Sequence, residues 1–132
     1  MFEKLIKKIA LNLDRAKIPY MLIGGQAVLL YGTPRLTRDI DITLGIDTDK
    51  FFSIEGICKK LGLKIIPKNP EKFANETKVL PVEEAGLKIR VDFIFSFTPY
   101  EKQALKRIKK VKIDGYLVKF VSCEDAIIHK ML

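Results

Sequence analysis

The stretch that decides the fold runs from residue 20 to residue 44 and reads YMLIGGQAVLLYGTPRLTRDIDITL. Residues 20–23 form a short apolar run that ends in Gly24-Gly25, a pattern that predicts a buried strand entering a tight turn. Residues 26–31 predict a short helix. At the far end, Asp39 and Asp41 alternate with apolar residues, and this period of two predicts a half-buried strand over residues 39–44.

The two acids of this strand are expected to share one face of a sheet. Successive side chains of a strand point to opposite faces, so Ile40, Ile42 and Leu44 must face the core. The Cα atoms of Asp39 and Asp41 would lie roughly 6.6 Å apart. Two carboxylates at this spacing repel each other, and a divalent cation with hard oxygen ligands is the natural screen. A solvated strand face is the structural alternative for this motif.

A second strand, predicted over residues 87–97, carries one further acid. Asp92 lies on the face opposite to an apolar row made of Ile89, Val91, Phe93 and Phe95. If this strand lies beside the first, Asp92 joins Asp39 and Asp41. Three acids from two strands can then hold two Mg²⁺ ions about 4 Å apart, with Mn²⁺ as a substitute. Asp92 is also placed to help take a proton from an attacking hydroxyl.

The glycine turn offers a place for phosphate groups. Without Cβ atoms, Gly24 and Gly25 let anions approach the backbone closely. The N–H groups of Gly25 and Gln26 open the predicted helix, whose positive end attracts anions. Arg35 and Arg38 precede the acidic strand and would add phosphate contacts. Taken alone, a Gly-Gly turn is more often only a turn and the two arginines are surface bases, so the combination carries the argument.

Composition narrows the class of protein. The chain has 132 residues, 48% of them apolar, and a net charge of +8, which fits one globular domain with polyanionic partners such as nucleotides or nucleic acid. No apolar run reaches the roughly 18 residues of a membrane span. Cys58 and Cys123 lie far apart, and His129 is the only histidine, so no zinc set can be assembled. We read both cysteines as reduced residues of a cytoplasmic protein.

The remaining sequence predicts helices alternating with strands. Helices are expected over residues 2–16, 51–61 and from Thr98, strands over residues 63–66, 111–113 and 116–121, and a mobile loop over residues 67–78. Asp114-Gly115 is a strong hairpin signal. Residues 122–125 open a last helix, but the sequence ends at Leu132, so we expect further C-terminal residues. The pattern predicts one α+β (α/β) domain, residues 1–132, with a mixed sheet flanked by helices.

Taken together, Ile23-Gly24-Gly25, a spacer of thirteen residues (26–38) and then Asp-Ile-Asp-Ile at 39–42 resemble the signature of the nucleotidyltransferase superfamily, which has a DNA polymerase β-like fold. Residues 24–41 are similar in particular to the AbiEii/AbiGii toxin-like branch and to small prokaryotic nucleotidyltransferase-like proteins. The toxin-like branch is longer at its C-terminus. Where the superfamily often has a serine after the glycine, this chain has Gly25 and Gln26.

The resemblance implies an activity and a set of site residues. The activity is Mg²⁺-dependent transfer of a nucleoside monophosphate from a triphosphate such as ATP to a hydroxyl, with release of pyrophosphate. The same likeness implies that Asp39, Asp41 and Asp92 are catalytic and bind metal. It implies nucleotide contacts from Gly24, Gly25, Gln26, Arg35, Thr37, Arg38 and Lys130. The acceptor stays open between RNA or tRNA, a protein hydroxyl and a small molecule, and an antitoxin-like or helical protein partner is a further expectation.

Two alternatives remain beside transfer. The first is a non-catalytic member of the same fold that binds a nucleotide and modifies nothing. The second is a basic nucleic-acid-binding domain without metal, for which the residues are Lys102, Lys106, Arg107, Lys109, Lys110 and Lys112. Only Tyr100 and Tyr116 stand near this basic strip, so no base-stacking platform is evident.

Overall fold

A seven-stranded mixed sheet organises the protein. The computed structural model describes residues 2–23, 39–86, 88–96 and 98–121. The strands are β1 (Tyr20–Ile23), β2 (Asp39–Leu44), β3 (Lys64–Ile65), β4 (Val79–Glu84), β5 (Ile89–Phe95), β6 (Lys109–Ile113) and β7 (Tyr116–Phe120). They lie in the order β3-β4-β5-β2-β1-β7-β6. The pairs β2–β5 and β1–β7 are parallel and the other neighbours are antiparallel, so the predicted mixed sheet is confirmed.

Helices pack on the sheet between these strands. They are α1 (Phe2–Arg15), α2 (Phe51–Lys60), α3 (Pro70–Thr77) and α4 (Pro99–Ala104), with short 3₁₀ turns at Thr48–Lys50 and Leu105–Arg107. The predicted start of α4 is confirmed, since the Thr98 hydroxyl accepts from the N–H of Glu101 and donates to its carboxylate. Within the described residues, no helix is long and apolar enough to cross a membrane.

The main core lies on one face of the sheet. Here Ile40, Ile42 and Leu44 of β2 are at most 1% exposed, as the alternation predicted. The apolar row of β5 continues this face, and the buried side chains of α1 and α2 cover it. Cys58 of α2 is among them, and burial raises the pKa of its thiol to about 12, which makes it an unreactive part of the core. Cys123 lies outside the described residues.

The described residues cover the opposite face of the sheet only in part. A smaller apolar cluster packs there, formed by Met21 and Ile23 of β1, Ala104 of α4, and Val121, which follows β7. The partly buried Ile94, Leu105 and Ile108 pack against it. β2 points Asp39, Asp41 and Thr43 to this same face, so the acids share it with the small apolar cluster.

In the segment between β3 and β5, one sequence prediction was wrong and one strand was missed. Residues 67–78 were expected to be a mobile loop, but α3 occupies most of them. Asn69 caps this helix by accepting from the N–H of Lys72, and Pro70 takes the first position. Residues 79–84 were not predicted to be a strand at all, yet they form β4, which pairs with β5 along its whole length.

The C-terminal hairpin is confirmed. Asp114 and Gly115 both have positive φ, at 50° and 81°, which is the backbone of the two-residue turn that their sequence predicts. The hairpin is anchored to α1, because the Tyr116 hydroxyl donates to the carboxylate of Asp14 and Lys119 forms an ion pair with the same carboxylate at 3.4 Å.

Candidate active site

The acids of β2 and β5 meet because the two strands are parallel neighbours. In their register Asp41 lies opposite Asp92, and Asp39 lies opposite Arg90. Neighbouring strands are about 4.8 Å apart, so paired side chains on one face are in direct reach of each other. The sequence prediction that β5 lies beside β2 is therefore confirmed, and the three acids share one face.

A single row across the sheet defines the setting of the acids. Asp41 is paired with Ile23 at the end of β1 on one side and with Asp92 on the other, and Asp92 is in turn paired with Pro81 of β4. Exposure falls along β2, from the exposed Asp39 through the half-buried Asp41 to the fully buried Thr43. The acid row therefore lies at the boundary between the open and the covered part of this face.

The electrostatics show that the three carboxylates interact. Burial raises the pKa of Asp41, and the negative charges of Asp92 and Asp39 raise it further. Hydrogen bonding between the Asp41 and Asp92 carboxyl groups acts in the same direction, while the positive charge of Arg90 partly opposes it. A half-buried cluster of like charges is unfavourable by itself, and such clusters mark functional sites more often than ordinary surface does.

Among the described residues, Arg90 is the base that contacts this cluster. Its Nε donates to Oδ1 of Asp92 at 3.0 Å, two residues further along β5, and this bond raises the pKa of the Arg90 guanidinium. The side chain of Arg90 is about half exposed, so the pair contributes little to stability. The sequence analysis gave Arg90 no role, although its spacing of two residues from Asp92 puts both side chains on one face of the strand.

The donor set fits a hard divalent cation in chemistry. Carboxylate oxygens are the ligands that Mg²⁺ prefers, and Asp39, Asp41 and Asp92 supply them from adjacent strands. Within residues 2–23, 39–86, 88–96 and 98–121, no three His, Cys, Asp or Glu side chains are already spaced to hold one ion. Arg90 engages Asp92 through Oδ1, so a metal ion bound here would share this carboxylate with the guanidinium.

The predicted nucleotide-binding residues belong to parts of the chain that the structure does not describe. Gly24, Gly25, Gln26, Arg35, Thr37, Arg38 and Lys130 all lie outside the described residues, as do the short helix at 26–31 and the last helix. What the structure does place is the strand that leads to them. β1 ends at Ile23, directly opposite Asp41, and Gly24-Gly25, where the sequence predicts a turn, come next in the chain.

A groove beside the acid row was missed from the sequence. It has a volume of about 410 Å³ and lies between α3 and the β4–β5 pair, lined among others by Ile66, Lys68, Lys72, Phe73, Pro81 and Arg90. No local sequence signal could have revealed it, because both α3 and β4 were absent from the predicted elements.

No protein-family model matches the sequence, and no curated protein matches it either. Solved structures do match its fold. The lincosamide antibiotic adenylyltransferase LnuA, solved with lincomycin bound, is 18% identical at a TM-score of 0.65, over 95% of this chain and 83% of that chain. ANT(2″)-Ia, solved with adenylyl-2″-tobramycin, is 21% identical at a TM-score of 0.68, over 97% and 73%.

This chain has the nucleotidyltransferase fold. A CCA-adding enzyme in complex with ATP also shares it, at 19% identity and a TM-score of 0.57, with 92% of this chain covering 28% of that larger one. At these identities the comparison establishes the architecture, and the helix-flanked mixed sheet expected from the sequence is the sheet of the nucleotidyltransferase fold.

The raised pKa of Asp41 predicts how its charge affects folding. A carboxyl whose native pKa lies above its unfolded value of about 3.8 binds its proton more tightly when folded, so its contribution to stability is complete below that pH and is lost as pH rises through the native pKa. In metal-free buffer at pH 7 we therefore expect Asp41→Asn to melt at a higher temperature than the parent protein. The difference should vanish toward pH ~3, where both side chains are neutral.

Asp47 supplies a control of opposite sign for this melting experiment. A hydrogen bond from Lys78, with Nζ and Oδ1 2.9 Å apart, lowers the pKa of Asp47. Asp47→Asn should therefore melt at a lower temperature than the parent protein at neutral pH, and this difference should shrink as pH falls. If Asp41→Asn also lowered the melting temperature at pH 7, the like-charge cluster would not exist in solution.

Proposed function

We propose that this protein transfers a nucleoside monophosphate from a nucleoside triphosphate to a hydroxyl group, with Mg²⁺ as cofactor and pyrophosphate as the second product. The observation that carries the proposal is the pairing of Asp41 with Asp92 across two parallel strands, with Asp39 beside them, on a nucleotidyltransferase fold. The fold alone is compatible with many functions, so the argument depends on these acids.

Asp39, Asp41 and Asp92 would hold two Mg²⁺ ions. When bound, these ions would neutralise the triphosphate and lower the pKa of the attacking hydroxyl. The repulsion that raises the pKa of Asp41 supports this role, because a divalent cation removes it. Arg90 would leave Asp92 and turn its guanidinium to the substrate, since a carboxylate bound to metal and an arginine bound to phosphate are both favourable contacts.

The proposed reaction is an in-line displacement at the α-phosphorus. The acceptor oxygen forms a bond to that phosphorus, the bond from phosphorus to the bridging oxygen breaks, and pyrophosphate leaves with the electron pair. The hydroxyl proton passes to a carboxylate oxygen of Asp92. Of the three acids of the site, Asp92 is the one paired with Pro81, which lines the groove together with Arg90. The triphosphate would lie on the other side, next to Asp41 and the turn predicted at Gly24-Gly25, which follow β1 in sequence.

The nucleotide we propose is ATP. Support comes from structures of the same fold, since a CCA-adding enzyme was solved with ATP and ANT(2″)-Ia with an adenylyl product. Their acceptors differ, so the fold does not choose among RNA, a protein hydroxyl and a small molecule. The relationship to AbiEii/AbiGii toxin-like proteins, an antitoxin or helical partner and a cytoplasmic location stay predictions.

One observation favours the non-catalytic alternative. The Arg90–Asp92 contact neutralises the carboxylate that the reaction needs, and a protein that only binds nucleotides would keep it. The two proposals differ in their products. Transfer releases pyrophosphate, whereas binding alone leaves the triphosphate intact.

The test measures binding and turnover on the full chain. We expect calorimetry to detect ATP binding in MgCl₂ but not in EDTA, and a coupled assay to detect pyrophosphate in the presence of RNA or small hydroxyl acceptors. Mg²⁺-dependent binding without pyrophosphate over a broad panel of acceptors would establish the non-catalytic alternative. Failure to bind ATP at all would overturn both.

The basic-strip alternative is less well supported by the structure. All six bases of the strip are exposed along α4, the following 3₁₀ turn and the edge strand β6, which suits contact with phosphates. However, Tyr116 is partly buried and its hydroxyl donates to Asp14, so its ring is committed to the contact between hairpin and helix.

A further inference from the structure

We infer that the groove between α3 and the β4–β5 pair is the acceptor site, and that it takes the 3′-terminal nucleotide of a single-stranded nucleic acid. This inference rests on the proposed transfer activity and adds the substrate class and its place. The position of the groove, its charge and its apolar surface support the inference.

The position of the groove suits the second substrate. Pro81 forms part of its floor and is paired with Asp92, and Arg90 both lines the groove and contacts Asp92. The strand order β4-β5-β2-β1 puts the groove on one side of the Asp41–Asp92 pair and the end of β1 on the other. A transfer between two substrates needs one on each side of the acids, and the groove fills the side away from the predicted phosphate turn.

The charge of the groove selects an anion. Lys68, Lys72 and Arg90 line it against one acid, Glu76, and all four side chains are exposed. A polycationic acceptor such as an aminoglycoside would be repelled by this surface. A neutral sugar would make no use of the charges of Lys68 and Lys72, whereas a phosphodiester chain gives both of them a partner.

The apolar surface selects a ring. Phe73 is 38% exposed and Ile66 44% exposed, among the few large hydrophobic side chains of the described residues that reach solvent. An aromatic side chain beside lysines is the arrangement that stacks a base and holds its phosphates. The volume of about 410 Å³ is in the range of small-ligand sites, which suits one nucleotide. With the base on Phe73, the 3′-hydroxyl would lie toward Asp92.

Two variants test the groove, and a third is their matched control. Lys68→Ala/Lys72→Ala removes two charges four residues apart, and Phe73→Ala removes the stacking ring; all three side chains are exposed, so the fold should survive. Lys4→Ala/Lys8→Ala removes the same charge at the same spacing from α1, which packs on the opposite face of the sheet. It leaves the net charge equal to that of the groove double variant.

The measurement is fluorescence anisotropy with a labelled single-stranded RNA oligonucleotide and its DNA counterpart, without ATP. We expect binding about tenfold weaker for the lysine double variant, with the slope of log affinity against log salt reduced by roughly 1.4. Phe73→Ala should bind at least about fivefold more weakly. The α1 control should bind like the parent protein, and ATP binding should be unchanged in all three.

The outcomes separate this inference from the proposed function. Equal weakening by the groove and α1 variants, or no binding of either oligonucleotide by the parent protein, would overturn the acceptor site while leaving ATP binding and transfer to other hydroxyls intact. Loss of oligonucleotide binding in the groove variants alone would support the site even in a protein that released no pyrophosphate. Transfer to an aminoglycoside in preference to RNA would also overturn it.

Discussion

Asp41→Asn should reduce the rate of pyrophosphate release at least about 10³-fold, with the protein still folded. Asp41 is the half-buried centre of the acid row, with Asp92 beside it across the β2–β5 pair and Asp39 two residues before it. An amide of the same shape keeps the packing against Ile23 but removes the negative charge that would bind the cation. The assay is pyrophosphate release at saturating ATP, with Mg²⁺ varied to expose weaker metal binding.

The same substitution should stabilise the metal-free protein, so activity and stability move in opposite directions. Substitution of a residue that served only the fold would lower activity and stability together. When a residue is kept in an unfavourable charge cluster because function needs it, removing its charge lowers the activity of the protein and raises its stability. Added Mg²⁺ should raise the melting temperature of the parent protein and leave that of Asp41→Asn unchanged, because only the former offers the full set of carboxylates.

Asp49→Asn is the matched control for this experiment. Asp49 is exposed in the 3₁₀ turn after β2, away from the acid row, so its loss should leave both turnover and the response to Mg²⁺ unchanged. If Asp41→Asn kept more than about a tenth of the parent activity, the transfer chemistry could not depend on this carboxylate.

The sequence predicted the central elements because their signals are local. The alternation of acids and apolar residues in β2 and β5 determines which side chains share a face, and this follows from backbone geometry alone. Asp114-Gly115 requires positive φ at two successive residues, which few other pairs tolerate. The sequence analysis could place Asp92 beside Asp41 only on the condition that their strands are neighbours. The register of β2 and β5 shows that they are.

The segment from residue 67 to residue 84 was misjudged because its signals are weak or misleading. Only Ala74 of α3 is buried, so the helix has almost no apolar stripe. The helix ends at Lys78 in a left-handed conformation (φ 63°), where a glycine would have been a recognisable end signal in the sequence. In β4, Pro81 is a residue that seldom occurs inside a paired strand. Its carbonyl accepts from Ile66 on the β3 side, where the missing N–H also points, and β3 is only two residues long.

The groove is formed by this same segment, so it could not be predicted from the sequence. Its lysines and Phe73 look like an ordinary solvated stretch until α3 and β4 bring them beside Arg90. The acids, by contrast, could be found because their spacing is short and their strands carry the strongest alternation in the chain.

Phe93→Ala should cost about 3–5 kcal/mol of unfolding free energy, a large share of the roughly 5–15 kcal/mol of a typical domain. Phe93 is fully buried in the middle of β5, paired with Ile42 on one side and Leu80 on the other, both at most 1% exposed. Truncating it leaves a cavity where three strands pack against the helical layer, and rigid neighbours cannot fill it. Urea denaturation followed by circular dichroism measures the loss.

Phe52→Ala is the matched control, since it makes the same chemical change at a side chain that is 64% exposed. The Phe52 ring touches Phe51 edge-on, with centroids 5.3 Å apart, so we expect a cost below about 1 kcal/mol. Phe93 and Asp92 are adjacent and point to opposite faces of β5, so the two positions test one assignment. Equal costs for Phe93→Ala and Phe52→Ala would mean that β5 is not buried between β4 and β2, and the pairing of Asp92 with Asp41 would be lost with it.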